Sequence, residues 1–254
     1  MDDSGIKPNR NYTIPPITEL TEMVSSAFAE NGLKASDTQY GLLAKYLEYM
    51  LTVNKTLNLT AIREPSEAVY KHLCDSAMTV SHIPNGSNLI DVGSGAGLPA
   101  VPIAILRPDV SVTALDSTAK KINFIADTAR ILNLDNLNVK VGRAEELGHD
   151  LSYRGKFDVV TARAVARLNI LAEICMPFLK KGGKFLSLKS RLTDEEITEA
   201  HRAITALGGK VESADRFTLR GIEDAERSVI SILKTASTPE RYPRVYTLIS
   251  SKPL

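Results

Sequence analysis

The chain has 254 residues, 43% of them hydrophobic, which is typical of a globular protein built around one large core. No 18 apolar residues are consecutive and no apolar signal core lies near the start, so we expect no membrane span and a cytoplasmic location. The two cysteines, Cys74 and Cys175, and the four scattered histidines lack the spacing of metal ligands. The composition thus argues against a membrane protein, a disulfide-stabilised protein and a metal site.

The formal net charge of +1 hides an uneven distribution of charge along the chain. Residues 120–191 include 14 Lys or Arg against 7 Asp or Glu, whereas residues 193–226 include 9 acids against 4 bases. A basic region of this kind can bind a phosphate backbone, or it can be an ordinary solvated face. The charge pattern alone leaves both interpretations open.

The N-terminal third of the chain is predicted to be helical. Residues 1–14 begin with a polar stretch that we expect to be disordered, and residues 15–84 form the helical region. The third predicted helix begins at Pro65, a favourable first-turn residue, and ends at Pro84. The apolar stripes of the three helices are Ile17, Leu20, Val24 and Phe28; Tyr40, Leu43, Leu47, Met50 and Leu51; and Val69, Leu73, Ala77 and Val80.

Residues 85–254 show short β-type segments that alternate with helical stripes. The strands are predicted at 88–92, 111–116, 137–141, 157–162 and 183–189, and the helices near 98–107, 118–133, 167–179 and 193–207. Such alternation indicates a doubly wound, mostly parallel sheet of the Rossmann-like α/β class. Two further strands, 209–219 and 227–235, have no helix between them and predict a hairpin at the sheet edge, which makes seven strands.

The segment "LIDVGSGAGLPA" at 89–100 places a glycine-rich turn directly after the first strand. Gly93, Gly95 and Gly97 allow a sharp turn and a close approach of the backbone to a ligand. The spacing differs from the dinucleotide pattern G-x-G-x-x-G, because Leu98 stands where the last glycine would be. Asp91 would repel a pyrophosphate but suits a ligand that carries an ammonium group. The loop alone is weak evidence for any one nucleotide ligand.

The ends of the following strands supply further polar residues. In parallel sheets ligands bind beyond the carboxyl ends of the strands, where Asp116-Ser117 and Ala144-Glu145 follow the second and third strands. The Asp116 carboxylate could accept both hydroxyls of an unmodified ribose, which leaves NAD and S-adenosylmethionine as candidates, or it could cap the next helix. Acid, glycine loop, Asp116 and Ala144-Glu145 in this order indicate a class I S-adenosylmethionine-dependent methyltransferase.

Several longer segments resemble the glucose-inhibited division protein B family, whose members methylate N7 of a guanine in the 530 loop of bacterial 16S ribosomal RNA. They include "LNLTAIREPSEAVYKHLCDSAM", "LDSTAKKINFI", "GRAEEL", "FDVVTARAVARL", "GGKFLSLK" and "ERSVISILKT". The resemblance implies S-adenosylmethionine as cofactor. It further implies that Gly93 and Leu98 line the cofactor, that residues Asp116, Ser117 and Thr118 hold the ribose, that Ala144 and Glu145 border the adenine, and that Arg163 lies by the methyl-transfer site.

The chain also departs from the family pattern at four places. Ala100 replaces a glycine after the loop, Ala162 replaces the serine before Arg163, and Ser190 replaces a glycine after the fifth strand. The C-terminal "YPRVYTLISSKPL" keeps the "YPR" of the family but lacks most of the lysines that usually follow. These changes leave the predicted cofactor site intact and concern the docking of RNA.

Guanine N7 carries an in-plane lone pair and no proton, so we expect no general base and look for positioning groups. Arg163 is the first candidate, to orient the base or its phosphate. The other predicted RNA-contacting residues are Asn58, Arg63, His72, Lys120, Lys121, Lys189 and Arg227. Each could instead be a solvated or ion-paired residue, and His72 a core histidine. We expect the partner to be 16S rRNA or a small-subunit particle, bound by a monomer.

Three alternative functions remain at this stage. A methyltransferase with a protein or small-molecule substrate would share the cofactor site. An NAD-dependent oxidoreductase would share the fold, although the missing third glycine disfavours it. A non-catalytic RNA-binding factor in ribosome assembly would keep the fold without turnover.

Overall fold

The computed structural model describes residues 12–163, 166–190, 194–223 and 225–254. Residues 1–11 of the segment predicted to be disordered, and residue 193 at the start of a predicted helix, lie outside these ranges. The α-helices are α1 (Ile17–Glu30), α2 (Asp37–Leu57), α3 (Pro65–Ala68), α4 (Asp75–Ala77), α5 (Ala100–Leu106), α6 (Ala119–Leu132), α7 (Ala144–Leu147), α8 (Leu168–Cys175), α9 (Asp194–Ala206) and α10 (Tyr246–Ser251).

The strands form one mixed sheet. They are β1 (Asn88–Val92), β2 (Ser111–Asp116), β3 (Leu137–Val141), β4 (Phe157–Arg163), β5 (Leu179–Lys189), β6 (Gly209–Thr218) and β7 (Glu226–Lys234). Within the described residues the sheet has seven strands in the order β3-β2-β1-β4-β5-β7-β6. The first five are parallel, and β7 runs antiparallel between β5 and β6. The predicted parallel sheet and its edge hairpin are therefore confirmed.

Each face of the sheet has its own hydrophobic core. Successive strand residues point to opposite faces, so Leu89 of β1 belongs to one core and Ile90 to the other. The first core packs α1, α2, α5 and α6 on the sheet, and the second packs α8, α9 and α10 on the opposite face. The helices of the predicted N-terminal region therefore share a core with the sheet. No helix of the described ranges is long and apolar enough to cross a bilayer.

The region predicted to form the third helix is not one continuous helix. Instead of one helix over 65–84, the chain forms α3, a π-helical stretch at Val69–Cys74, α4 and a 3₁₀ turn at Val80–His82. The Ser76 hydroxyl donates to the His72 carbonyl at 2.6 Å and the Thr79 hydroxyl to the Ser76 carbonyl at 2.6 Å, local bonds that perturb the regular helical pattern. Val80 is accordingly half-buried rather than buried.

The boundary between α8 and β5 was also predicted wrongly. The helix predicted over 167–179 ends at Cys175 and continues as a 3₁₀ turn at Met176–Phe178, in which Pro177 has no N–H to donate. Strand β5 begins at Leu179 rather than at residue 183, because Leu179 pairs with Phe157 before a register shift in the β4–β5 ladder.

Candidate cofactor site and the arginine cluster beside it

The glycine loop after β1 is tied to the neighbouring strand β2. The backbone N–H groups of Gly93 and Ser94 both donate to the Leu115 carbonyl, at 2.8 and 3.0 Å. Gly93, Gly95 and Gly97 have positive φ angles of 76°, 57° and 90°, which favour glycine. A Cβ on Gly97 would lie 2.6 Å from Cγ2 of Val101, so close packing adds to this requirement. The loop is therefore a fixed turn at the carboxyl end of β1.

A tyrosine from α2 also holds this loop. The buried Tyr46 hydroxyl donates a hydrogen bond of 2.8 Å to the Ala96 carbonyl. Burial raises the pKa of Tyr46 well above its usual range, so it remains a neutral donor. The sequence analysis missed Tyr46, although its spacing from Leu43 and Met50 in the helical stripe could have indicated a buried position. The N-terminal helices thus shape the loop that the sheet presents.

Asp116 at the end of β2 organises two backbone segments. Its Oδ1 accepts the Thr118 N–H at 2.8 Å and its Oδ2 accepts the Gly95 N–H at 3.0 Å. Thr118 itself is the N-cap residue of α6, so Asp116 orders the turn before the helix without occupying the cap position. The carboxylate also faces a cavity, and each oxygen keeps a second lone pair that can accept a ligand hydroxyl.

The cavity beyond the ends of β1, β2 and β3 has a volume of about 390 Å³, within the usual range for small-ligand pockets. Seven of the predicted cofactor residues line it: Gly93, Asp116, Ser117, Thr118, Ala144, Glu145 and Arg163. The sequence analysis did not assign the other lining residues to the cofactor: Val92, Leu115, Lys121, Gly142, Arg143, Ile174 and Tyr246. Lys121, predicted to contact RNA, thus lies in the cavity wall.

Four predicted cofactor residues lie behind the cavity lining. The Gly95 N–H donates to Asp116, Gly97 packs on Val101, and Leu98 is buried in the first core. Asp91 is 1% exposed, and its Oδ1 accepts the Thr161 hydroxyl at 2.8 Å. Its Oδ2 is buried and has no hydrogen-bond partner among the described residues, and burial raises the pKa of Asp91 to about 6.

Arg163 enters the cavity from the end of β4 and is held by the segment that precedes β1. Its Nη1 donates to the Lys71 carbonyl at 2.9 Å and to Oδ2 of Asp75 at 3.1 Å. Within the described residues these are the hydrogen bonds of its guanidinium group, so Nε and Nη2 remain available to a ligand. Arg227 lies on the other side of Asp75, with its Nε 3.4 Å from Oδ1. The two arginines therefore share one carboxylate.

Asp75 was missed by the sequence analysis. Burial raises the pKa of its carboxyl group, and the guanidinium groups of Arg163 and Arg227 oppose that shift. An acid next to the apolar pair Leu73-Cys74 was the available signal, but its partners are distant in the chain. Asp75 is the residue that connects the cavity with the start of β7.

Arg163, Arg227 and Asp75 form the arginine cluster. His72 is buried next to it. Its Nε2 is 2.8 Å from the Thr60 hydroxyl. Burial and the charge of Arg163 lower the pKa of His72 to about 3, so its imidazole is neutral. Because Thr60 belongs to the loop between α2 and α3, this contact brings the loop with Asn58 and Arg63 beside the arginine cluster.

The remaining predicted RNA-contacting residues have different surroundings. Asn58 and Lys120 are exposed, and Arg63 is half-buried. The Nζ of Lys189 donates to the Ala166 carbonyl and to Oε1 of Glu196, each at 2.7 Å. Two of the three donors of the Lys189 ammonium group are therefore used within the protein, and Glu196 offsets its charge, so the structure gives it a competing role.

In the part of the chain described, no group of three or more His, Cys, Asp or Glu residues could hold a metal ion.

The cavity fits S-adenosylmethionine by the chemistry of its donors and acceptors. The Asp116 carboxylate has lone pairs that the protein does not use and that can accept ribose hydroxyls. Glu145 offers a second carboxylate for the edge of the adenine. Gly93 brings backbone without a side chain to the cavity wall.

Comparison with known proteins places the chain among ribosomal RNA methyltransferases. The GidB family model, described as rRNA small subunit methyltransferase G, matches residues 39–225. A protein named ribosomal RNA small subunit methyltransferase G from Lactobacillus delbrueckii is 40% identical over 237 residues, 92% of this chain and 99% of its own length. The protein of the same name from Lactococcus lactis is 41% identical over 222 residues, 86% of this chain and 92% of its own length.

Solved structures support the same fold at low identity. The putative methyltransferase from Haloferax volcanii, solved in complex with the activator Trm112, aligns with a TM-score of 0.54 and 14% identity over 74% of this chain and 98% of its own. TYW2 from Methanococcus jannaschii, solved with AdoMet, gives a TM-score of 0.50 and 14% identity over 63% of this chain and 74% of its own. These similarities establish the fold and nothing further.

Proposed function

Because the chain belongs to the rRNA small subunit methyltransferase G family, we propose that it transfers a methyl group from S-adenosylmethionine to N7 of a guanine in the 530 loop of 16S rRNA. It is a methyltransferase with a Rossmann-like fold. The observation that supports the assignment best is the cavity at the carboxyl ends of β1, β2 and β3, where the glycine loop, Asp116 and Glu145 meet.

The cofactor residues have distinct proposed roles. Asp116 accepts the ribose hydroxyls while its bonds to Gly95 and Thr118 hold it in place. Ala144 and Glu145, at the first turn of α7, border the adenine, and Gly93 lets the methionine portion approach the loop. When bound, the cofactor supplies an electrophilic methyl group on a positively charged sulfur.

The buried acid Asp91 contributes to the same site from beneath the loop. Its buried carboxylate, whose Oδ2 has no partner among the described residues, provides negative potential for the positively charged part of the ligand. A positive charge nearby favours the ionised carboxylate and lowers the pKa of Asp91 from about 6. Asp91 therefore has an electrostatic role that does not require it to line the cavity.

The target guanine requires positioning and no proton removal, because N7 attacks with its own lone pair. Arg163 suits this task because Nε and Nη2 are not used by the described residues, while Nη1 is fixed by Asp75. Two planar donors in a fixed orientation can bind O6 of the base or a phosphate oxygen. Asp75 balances the charge of Arg163 next to a base that becomes positively charged on methylation.

The RNA is proposed to bind around the arginine cluster. The loop with Asn58 and Arg63 lies beside this cluster through the Thr60–His72 contact, and Lys120 is exposed at the start of α6. Such basic residues supply affinity for phosphates without base specificity. We propose that the enzyme acts in the cytoplasm as a monomer on 16S rRNA or a small-subunit particle.

A transfer assay with two cofactor controls tests this function. The protein is incubated with S-adenosylmethionine carrying a labelled methyl group and with unmodified small-subunit or large-subunit rRNA. We expect label only on the small-subunit rRNA, and saturable binding of S-adenosylhomocysteine but not of NAD. Binding of NAD alone would support an oxidoreductase, and binding of RNA and cofactor without transfer would support a non-catalytic assembly factor; either result would overturn the proposal.

A further inference from the structure

The C-terminal segment returns to the cofactor cavity and completes one of its walls. After β7 the chain passes to the face of the sheet that carries α8 and α9 and forms α10 there. Ile249 of α10 is fully buried in the second core. Tyr246, the first residue of α10, lines the cavity together with Ile174 of α8. The polar residues that follow β2 and β3 supply other parts of the lining, so Tyr246 and Ile174 give this cavity an apolar surface from a distant part of the chain.

The segment that carries Tyr246 is held in place by an ion pair with a buried acid. Two residues earlier, the Arg244 guanidinium forms a two-point ion pair with the fully buried Glu173 carboxylate, at 2.7 and 2.6 Å. The Arg244 backbone N–H donates to the same carboxylate at 2.9 Å. A buried carboxylate with three donors fixes both the backbone and the side chain of Arg244. The position of Tyr246 at the cavity follows from this anchor.

A second anchor lies on the opposite side of the segment. The Arg154 guanidinium donates to the Tyr242 carbonyl at 2.8 Å, the Thr238 carbonyl at 2.8 Å and the Gly148 carbonyl at 2.6 Å. A Cβ on Gly148 would lie 2.8 Å from Cγ of Pro243, so the segment packs directly on the residues after α7. The connection that follows the proposed adenine residues, Ala144 and Glu145, is thereby joined to the C-terminal segment.

We propose that Tyr246 is a further cofactor-binding residue, whose ring packs on the nucleoside part of S-adenosylmethionine. This inference rests on the proposed function. Tyr246 lines the cavity and the residue is 39% exposed, so a bound ligand can cover surface that is now in contact with solvent. Purine bases stack on aromatic side chains whatever their hydrogen-bonding edges, and Ile174 supplies neighbouring apolar surface. The C-terminal segment is then part of the cofactor site.

The test compares binding of S-adenosylhomocysteine and of adenosine to the full chain by calorimetry. Tyr246→Ala should weaken both ligands by the same factor, about tenfold or more, because the nucleoside is common to both. Tyr246→Phe keeps the ring and should bind both within about twofold of the unsubstituted protein. Leu248→Ala is the matched control, since Leu248 lies on the same helix, is also 39% exposed and is not part of the cavity lining.

The outcomes separate this inference from the proposed function. If the unsubstituted protein binds S-adenosylhomocysteine and Tyr246→Ala binds it equally well, the inference is wrong and the proposed function stands. Weaker binding of S-adenosylhomocysteine with unchanged binding of adenosine would place Tyr246 against the amino-acid part and also overturn the inference. No binding by the unsubstituted protein would overturn both. A thermal unfolding midpoint close to that of Leu248→Ala confirms that Tyr246→Ala is folded.

Discussion

Oδ2 of Asp75 lies 3.1 Å from Nη1 of Arg163, so the arginine that enters the cavity from β4 is held by a carboxylate from the segment before β1. The same carboxylate contacts Arg227 at the start of β7. Both arginines are at least four-fifths buried, and a buried charge without a partner is costly. Asp75 therefore connects three distant parts of the chain at the edge of the proposed methyl-transfer site.

Replacing Asp75 by Asn should destabilise the fold. The change removes the negative charge from between Arg163 and Arg227, and loss of one member of a buried ion pair costs about 3–5 kcal/mol. Chemical denaturation measures the loss. The control is Asp127→Asn, which breaks an exposed ion pair with Arg130 and should cost under about 1 kcal/mol. Equal effects of the two substitutions would show that Asp75 is not the counterion described here.

Asp116→Asn should weaken cofactor binding and also cost about 1–3 kcal/mol of stability, because the amide NH2 replaces one of the two oxygens that accept the Gly95 and Thr118 N–H groups. Asn keeps the size of the side chain but loses the charge that strengthens hydrogen bonds from ribose hydroxyls, which corresponds to about 10–100-fold in the dissociation constant of S-adenosylhomocysteine. Calorimetry measures this constant. Asp135→Asn, at an exposed acid on the turn before β3, should leave it unchanged. An Asp116→Asn affinity within about twofold of the unsubstituted protein would contradict the ribose assignment.

Gly97→Ala separates steric packing from backbone conformation. The new Cβ would meet Cγ2 of Val101 at 2.6 Å in a residue with φ of 90°. Gly155→Ala is the matched control, because Gly155 has φ of 66° but no atom within 4 Å of its Cβ position. We expect the control to cost about 1–2 kcal/mol and Gly97→Ala about 1–3 kcal/mol more, together with weaker cofactor binding. Equal unfolding free energies for the two variants would refute the packing argument.

Because His72 is buried in its neutral form, we expect the folded protein to lose stability in mild acid. Its folded-state pKa of about 3 lies below the unfolded value near 6.5, so the unfolded chain binds more protons between these values. Stability from this group is present above about pH 6.5 and falls by about 2 kcal/mol between pH 7 and pH 5. Asp91 acts in the opposite direction, since burial raises its folded pKa. A His72 variant keeps the Asp91 contribution, so the difference between that variant and the unsubstituted protein isolates the effect of His72.

His72→Gln should therefore lose about 2 kcal/mol less than the unsubstituted protein when the pH is lowered from 7 to 5. Denaturation curves at the two pH values give the difference directly. His201→Gln, at an exposed position on α9, should keep the full loss. An identical pH dependence for all three proteins would mean that His72 is not buried in its neutral form.

The sequence predicted the first three strands well. β1, β2 and β3 have the bounds that the apolar segments at 88–92, 111–116 and 137–141 indicated. Each of these segments combines apolar or β-branched side chains with flanking turn residues, and this combination is local in the sequence. Because the carboxyl ends of parallel strands meet at one edge, Gly93, Asp116 and Glu145 could also be expected around one cavity, as found.

The rest of the candidate site depends on contacts between distant residues. Asp75 and Arg163 are 88 positions apart, and Tyr46 and Ala96 are 50 apart, so no local pattern pairs them. Tyr246 lies at the cavity on a segment that Glu173 and Arg154, both distant in the sequence, hold by hydrogen bonds. The pairing of Lys189 with Glu196 likewise depends on how α9 packs beside β5. Spacing and composition contain no information about such pairings.

Mapping the methyl group on the RNA tests the central claim most directly. Unmodified 16S rRNA, free or assembled into small subunits, is treated with the protein and S-adenosylmethionine, and then with borohydride and aniline, which cleave RNA at 7-methylguanine. We predict one new cleavage, within the 530 loop, that requires both the protein and the cofactor. Methylation without cleavage, cleavage at another position, or no methylation of either form of the RNA would contradict the account.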